Sequence, residues 1–221
     1  MIIFFDSFRN LFKMVCMSLM LLMMQKYGLF KYVSRETGEK LELYEVLLRK
    51  WSGAYNLVQK DTLPHLVQRH FIDSLQLVPL IRQEQSLLDV GTGAGFPGMI
   101  LAISGGKDIT LVEKNKKKCL FLEEVARQTS TPVKILNQKW ENVEGTYQQV
   151  TARAFANLST LLGLLKVVSR ETNPVGYFLK GSHWQQELAD AKKVWNFTHE
   201  IFPSLTAEGS QIIKVTGIQK K

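Results

Sequence analysis

Residues 87 to 98 read Leu-Leu-Asp-Val-Gly-Thr-Gly-Ala-Gly-Phe-Pro-Gly, a short apolar run carrying one acid, then four glycines within eight residues. Leu87, Leu88 and Val90 supply the continuous apolar run of a strand buried on both faces. Asp89 falls near its carboxyl end, where open α/β sheets hold their ligands. Gly91, Gly93 and Gly95 permit positive φ and let the backbone approach a ligand closely. Pro97 has a helical φ and no N–H to leave unbonded in a first turn. The segment therefore predicts strand, tight turn and helix, the geometry of a nucleotide-binding loop, and puts the chain in the α/β class.

The register of the glycines decides between ligands. Gly93, Gly95 and Gly98 fit the dinucleotide pattern G-x-G-x-x-G. The glycine directly after the strand is Gly91, however, and the sixth position counted from it is Phe96, bulky where a helix must approach a pyrophosphate. The register 91, 93, 95 with Asp89 two residues ahead is the acid-x-G-x-G-x-G form of S-adenosylmethionine loops. The methionine end of that ligand carries an amine and no phosphate, so a nearby carboxylate is useful. A purely structural glycine turn is the competing reading. A second strand over 108–113 ends in Glu113, placed to accept from two ribose hydroxyls, a device NAD enzymes share. After a third strand over 132–137, Trp140 could pack on a purine and Glu141 could accept from its exocyclic amine. A core Trp and a helix-start Glu form the alternative.

The alternation continues. Strands are expected over 149–153, 176–180, near 197–202 and over 211–216, with helices over 159–170 and 184–193 between them. Counted from Leu87 this gives seven strands, mostly parallel, with a final hairpin inserting one antiparallel strand. Arg153 and Lys180 end strands four and five, at the ligand edge. Before the sheet, Leu41, Tyr44, Leu47, Leu48 and Trp51 recur at helical spacing, and a second helix is expected after Pro64. His70 and Asp73, three apart on its face, could bond each other or lie near a cofactor, a satisfied buried histidine being the simpler reading. The division is a single globular domain with an apolar Met-rich segment 1–24, a helical region 25–82 and a cofactor-binding core 83–221.

Four stretches carry a family resemblance: Leu87 to Gly98, Arg69-His70-Phe71-Ile72-Asp73-Ser74-Leu75, Val150-Thr151-Ala152-Arg153-Ala154-Phe155-Ala156 and Phe178-Leu179-Lys180-Gly181. In order and spacing they resemble the RsmG (GidB) family, from about Lys40 to Val215. The resemblance implies a Rossmann-like class I methyltransferase that carries a methyl from S-adenosylmethionine to N7 of one guanine in the 530 loop of 16S ribosomal RNA. By motif position it implies cofactor contacts at Gly91, Phe96, Trp140, Glu141 and Arg153. Asp89, Gly93, Gly95 and Glu113 follow from the general class I pattern. The chain departs from the family in Trp51-Ser52-Gly53-Ala54-Tyr55-Asn56-Leu57-Val58, where two polar positions differ, and in Glu208-Gly209-Ser210-Gln211, which lacks an Arg that commonly precedes the last strand.

Guanine N7 has an in-plane lone pair and no proton to remove, so the reaction needs no general base; positioning and exclusion of water carry it. Arg153 is expected to position cofactor and guanine, and Lys180 to donate to guanine O6/N7 or a nearby phosphate. Sheet-edge ion pairs are the alternative for both. Rival functions are a methyltransferase of another RNA, protein or small molecule, an NAD oxidoreductase, and a ribosome-binding protein with a vestigial fold.

Charge and composition agree with an RNA partner, either 16S ribosomal RNA or the small ribosomal subunit. The net charge is +8, and 45% of the 221 residues are apolar, ample for one core. Residues 114 to 118 read Lys-Asn-Lys-Lys-Lys. With Asn115 as N-cap, Lys116, Lys117 and Lys118 fall in a helix's first turn, against its dipole, where a phosphate backbone would compensate them. A solvated lysine cluster is the alternative. Cys16 and Cys119 match no metal spacing, and the expectation is a metal-free monomer in the reducing cytoplasm. Six of the seven methionines lie in the first 24 residues. The uncharged run 14–24 spans about 16 Å as helix against a bilayer core of about 30 Å. It is either a helix packed on the domain or residues upstream of the native start, the second being favoured.

Overall fold

The computed structural model describes residues 20–169 and 173–221. Seven strands form one sheet: β1 (Leu87–Val90), β2 (Ile109–Val112), β3 (Lys134–Leu136), β4 (Gln149–Arg153), β5 (Val175–Lys180), β6 (Trp195–Pro203) and β7 (Gln211–Lys220), in the order β3-β2-β1-β4-β5-β7-β6. The first five are parallel, and β7 inserts antiparallel between β5 and β6. The strand order reverses at β1 and β4, so the crevice at their carboxyl ends is the ligand edge of such a sheet.

Helices flank the sheet, among them α1 (Arg35–Ser52), α2 (Gly98–Ile103), α3 (Lys116–Gln128), α4 (Leu158–Ser169) and α5 (Trp184–Val194). The period of two along β1 sends Leu87 into one core and Leu88 and Val90 into the other. The first core joins Tyr44, Phe71, Phe96 and Phe121, and the second joins Leu161, Leu165, Phe178 and Trp195. The helical region before the sheet thus shares a core with the sheet. α1 starts at Ser34, whose hydroxyl accepts from the Thr37 N–H at 3.1 Å. It buries Leu41, Tyr44 and Leu48 completely, the stripe its spacing predicts.

The helix expected after Pro64 is irregular. Lys60–His65 is a 3-10 turn, Val67–Ile72 a π-helix and Asp73–Leu75 a single α turn. The wider winding keeps Phe71, Ile72 and Leu75 in the core while Arg69, His70 and Asp73 reach the crevice. Periodicity does not separate that winding from an α-helix, so the sequence could not show it.

Residues 20–26 are helical, and Met20 and Met24 are fully buried in the first core. That end of the Met-rich segment behaves as a helix packed on the domain. Residues 1–19, with Cys16, lie outside the described residues. Among the described residues no helix is long and apolar enough to cross a membrane.

Candidate functional site

A cleft of about 1730 Å³ opens over the carboxyl ends of β1, β2, β4 and β5. Small-molecule sites usually hold roughly 300–1000 Å³, so it has room for a cofactor and a second reactant. Its floor is the loop after β1, where Gly91 (φ 64°), Gly93 (φ 62°) and Gly95 (φ 102°) all take the left-handed backbone their spacing implied.

The three glycines and Asp89 do different work. Gly91 and Gly93 face the cleft. A Cβ on Gly93 would meet nothing closer than 3.9 Å, so the loop presents an open backbone face there. Gly95 instead lies under α1 and α3: its Cβ would fall 2.4 Å from the Tyr44 hydroxyl and 2.9 Å from a Leu122 methyl. That hydroxyl donates to the Ala94 carbonyl, fastening α1 to the loop. Asp89, expected beside the ligand, is fully buried and does not line the cleft. One of its oxygens accepts from the Gly98 N–H at 2.9 Å and the other from the Thr151 hydroxyl at 2.8 Å. Burial pushes its carboxyl pKa up, and those two hydrogen bonds work in the opposite direction. Asp89 braces the loop from below because a tight strand-to-helix turn leaves Gly98 N–H without a helical partner.

Glu113, at the tip of β2, lines the cleft. It accepts from the Asn115 N–H at 2.8 Å and the Gly93 N–H at 3.1 Å, which joins the two loops; a carboxylate has acceptor capacity beyond two bonds. Trp140 and Glu141 sit in a short 3-10 turn, Trp140–Asn142, on the cleft wall. Trp140 also packs on the second core, so its structural and binding readings coincide. Phe96 lines the cleft with its ring stacked between Tyr44 and His70, at centroid distances of 5.5 and 5.0 Å.

Arg153 is the hub of the wall opposite. Its guanidinium donates to His70 Nδ1 at 2.8 Å, the Arg69 carbonyl at 2.9 Å and Asp73 at 3.2 Å, and lies 5.1 Å from the Phe96 centroid. Because a guanidinium only donates, His70 Nδ1 must accept and its proton must sit on Nε2. That nitrogen is 2.9 Å from the Thr62 hydroxyl, which itself donates to the Gln59 carbonyl at 2.7 Å. Burial first, then Arg153 and Arg69, push the His70 pKa down to about 3. Asp73 also accepts from Gln76 at 2.9 Å and from the Thr206 hydroxyl at 2.7 Å. His70 and Asp73, read from sequence as possible partners of each other, both serve Arg153 instead.

Lys180 is a buried ion pair. Its ammonium donates to Glu187 at 2.7 Å and to the Ala156 carbonyl at 2.5 Å, which leaves one of three protons. Arg153 and Lys180 are thus both the ion pairs of the alternative reading and residues of the cleft.

Asn115 caps α3 as expected, its side chain accepting from Lys117 N–H at 2.9 Å and Lys118 N–H at 3.4 Å. Lys114 and Lys118 border the cleft, and Lys117 lies over Tyr55 at 5.4 Å. Cys119 is buried, and among the described residues no group of three or more His, Cys, Asp or Glu is placed to hold a metal. Sequence reasoning missed Thr62, Gln76, Glu187 and Thr206, whose roles arise from contacts distant in the chain. It also gave no role to Phe155 on the cleft wall, although an aromatic two residues after Arg153 was a visible signal.

The sequence profile of the GidB family, described as rRNA small subunit methyltransferase G, matches residues 37–213. A protein named ribosomal RNA small subunit methyltransferase G from Paramagnetospirillum magneticum is 45% identical over 190 residues, covering 85% of this chain and 92% of its own. Its namesake from Rickettsia felis is 38% identical over 189 residues, covering 85% and 97%. Among solved structures, P. horikoshii TYW2 in complex with MeSAdo superposes with a TM-score of 0.51 at 10% identity, covering 68% of this chain and 62% of that one, a likeness of fold.

Proposed function

This chain belongs to the GidB family of rRNA small subunit methyltransferases, and from that premise we propose that it methylates N7 of a guanine in the 530 loop of 16S ribosomal RNA. Its methyl donor is S-adenosylmethionine, which when bound supplies a methyl already activated by a sulfonium. The observation that carries the reading is the open backbone face at Gly93, beside Glu113 and Arg153, in a cleft with room for two reactants.

The residues present fit that cofactor. The Gly93 backbone leaves its cleft side clear to close approach. Glu113, already oriented by two N–H donors, has lone pairs left for ribose hydroxyls. Trp140 and Glu141 offer a ring and an acceptor for an adenine. Asp89 and Gly95 act through the loop, by bracing and packing it, while Phe96 supports Arg153 from beneath.

Guanine N7 would take that methyl with its own lone pair, and the positive charge would then rest on the base. A free cation at N7 would oppose that charge. Arg153 and Lys180 enter already paired with Asp73 and Glu187, so each donates hydrogen bonds at little net charge. The remaining Lys180 proton suits O6 or a phosphate, because donation to N7 would occupy the reacting lone pair. The protein's part is orientation and drying, and the chemistry calls on neither a base nor a metal. Lys114, Lys116, Lys117 and Lys118 give the RNA backbone its contact beside the cleft. We assign the protein to the cytoplasm, where its substrate is, as a monomer.

The test combines calorimetry with S-adenosylmethionine and NAD and transfer of labelled methyl to small subunits and to naked 16S RNA, with the label mapped by cleavage at 7-methylguanine. Binding of S-adenosylmethionine and label at one guanine of the 530 loop are expected. Binding of NAD alone, or label elsewhere, would refute the reading.

A further inference from the structure

We propose that Phe155 is the platform on which the target guanine stacks; this rests on the RNA methyltransferase reading and deepens it. Among the described residues, the Phe and Trp rings that line the cleft are Phe96, Trp140 and Phe155. Phe96 is buried and already packed on Tyr44, His70 and the Arg153 guanidinium. Trp140 packs against the second core. Phe155 belongs to neither core, and among the described residues no ring pairs with it. It remains 37% exposed inside the cleft, where a large apolar ring is left without cover.

Its placement is specified by the backbone. Ala154 has φ 49°, a left-handed conformation that alanine rarely takes and that concentrates at ligand clamps. That turn carries the chain from Arg153, at the end of β4, to Phe155 over the glycine loop. There the ring fills the space of a missing side chain: a Cβ on Gly91 would fall 2.1 Å from Phe155 Cδ2. One edge of the ring therefore rests on the loop while the remainder faces the cleft. Residue 156, one position further on, offers its carbonyl to Lys180. A ring on this short turn rests on the glycine loop and shares the cleft with the two basic side chains.

The chemistry matches. The N7 lone pair lies in the plane of the base, so a reacting guanine must be held by its faces and leave that edge free. An aromatic platform does this without occupying a donor or acceptor, and base stacking on aromatic side chains is a strong contact for an extruded nucleotide. Guanine discrimination then falls to Arg153 and Lys180 at the edges of the base.

The test compares Phe155→Leu, which preserves apolar cover over Gly91 but offers no flat face, with Phe155→Tyr and Phe155→Trp, which retain one. Methyl transfer to small subunits and S-adenosylmethionine affinity are both measured. We expect Phe155→Leu to lower kcat/KM for RNA about 10- to 100-fold, the size of one lost stack, with cofactor affinity within about threefold of wild type. The Tyr and Trp variants should stay within about fivefold on both counts. A 530-loop hairpin should quench fluorescence at 155 in the Trp variant beyond its effect on wild type. Equal activity of the Leu and Tyr variants would overturn the proposal, as would loss of cofactor binding in proportion to activity. A wild-type protein that binds S-adenosylmethionine yet methylates no RNA would remove the underlying reading instead, and this inference with it.

Discussion

Replacing Asp89 separates bracing of the loop from contact with the ligand. The carboxyl is fully buried and accepts from Gly98 N–H and Thr151 hydroxyl. Asp89→Ala orphans both donors in a dry site, at about 1–3 kcal/mol each. Relief of a buried carboxylate, whose pKa burial already raises, offsets part of this. The net expectation is a loss of about 2–4 kcal/mol. Asp89→Asn is a different perturbation. Its amide oxygen can accept from Gly98 N–H, and its NH2 can donate to Thr151 Oγ1 once that hydroxyl turns its own proton away, so both partners stay bonded and the cost falls to about 1 kcal/mol. Urea unfolding read by tryptophan fluorescence measures both, with an unchanged m-value as the sign that the denatured state is the same. S-adenosylmethionine affinity should weaken in Asp89→Ala in step with the loop and survive in Asp89→Asn. If Asn is as damaging as Ala, or if Ala abolishes binding at unchanged stability, the carboxylate acts by its charge on the ligand and the bracing argument fails.

Three further outcomes are expected. Gly95→Ala would push a Cβ to 2.4 Å from the Tyr44 hydroxyl at φ 102°, costing about 2–4 kcal/mol and lowering the thermal midpoint markedly, whereas Gly93→Ala has room and should cost about 1 kcal/mol while weakening S-adenosylmethionine binding; similar stability in the two would contradict the assigned roles. His70 has a folded pKa of about 3 against 6.5 unfolded, so the unfolded chain binds the extra proton between those values. Its contribution is complete above pH 6.5 and lost as pH falls, by about 2 kcal/mol at pH 5. His70→Gln, which can still accept from Arg153 and donate to Thr62, should flatten that slope, and equal slopes in both proteins would count against the neutral tautomer. Lys116, Lys117 and Lys118 changed together to Ala should weaken RNA binding and make its log–log salt slope shallower by up to about 2, while α3 loses a dipole penalty of about 0.3 kcal/mol or more per residue; an unchanged slope would make them a solubility feature.

What the sequence determined was local or repeating. Leu87, Leu88 and Val90 announced a buried strand, the spacing of Gly91, Gly93 and Gly95 announced a left-handed turn, and Asn115 announced the start of α3. Each rests on backbone conformations or on periods of two and 3.6, which neighbouring residues fix by themselves. The same alternation of elements gave seven strands and put Arg153 and Lys180 at the ligand edge, because a parallel sheet lines up its strand ends. Only the tertiary structure decided what those side chains meet. Asp73 is 80 positions from Arg153, and Thr206 is 133 positions from Asp73. Nothing in the periodicity of either segment encodes that they converge. The burial of Asp89 depends on Gly98 and Thr151 closing over it, and the π winding over Val67–Ile72 depends on the core below it. Proton positions follow from such contacts: His70 is neutral because it is buried against two arginines, a state that no single segment of the chain could have specified.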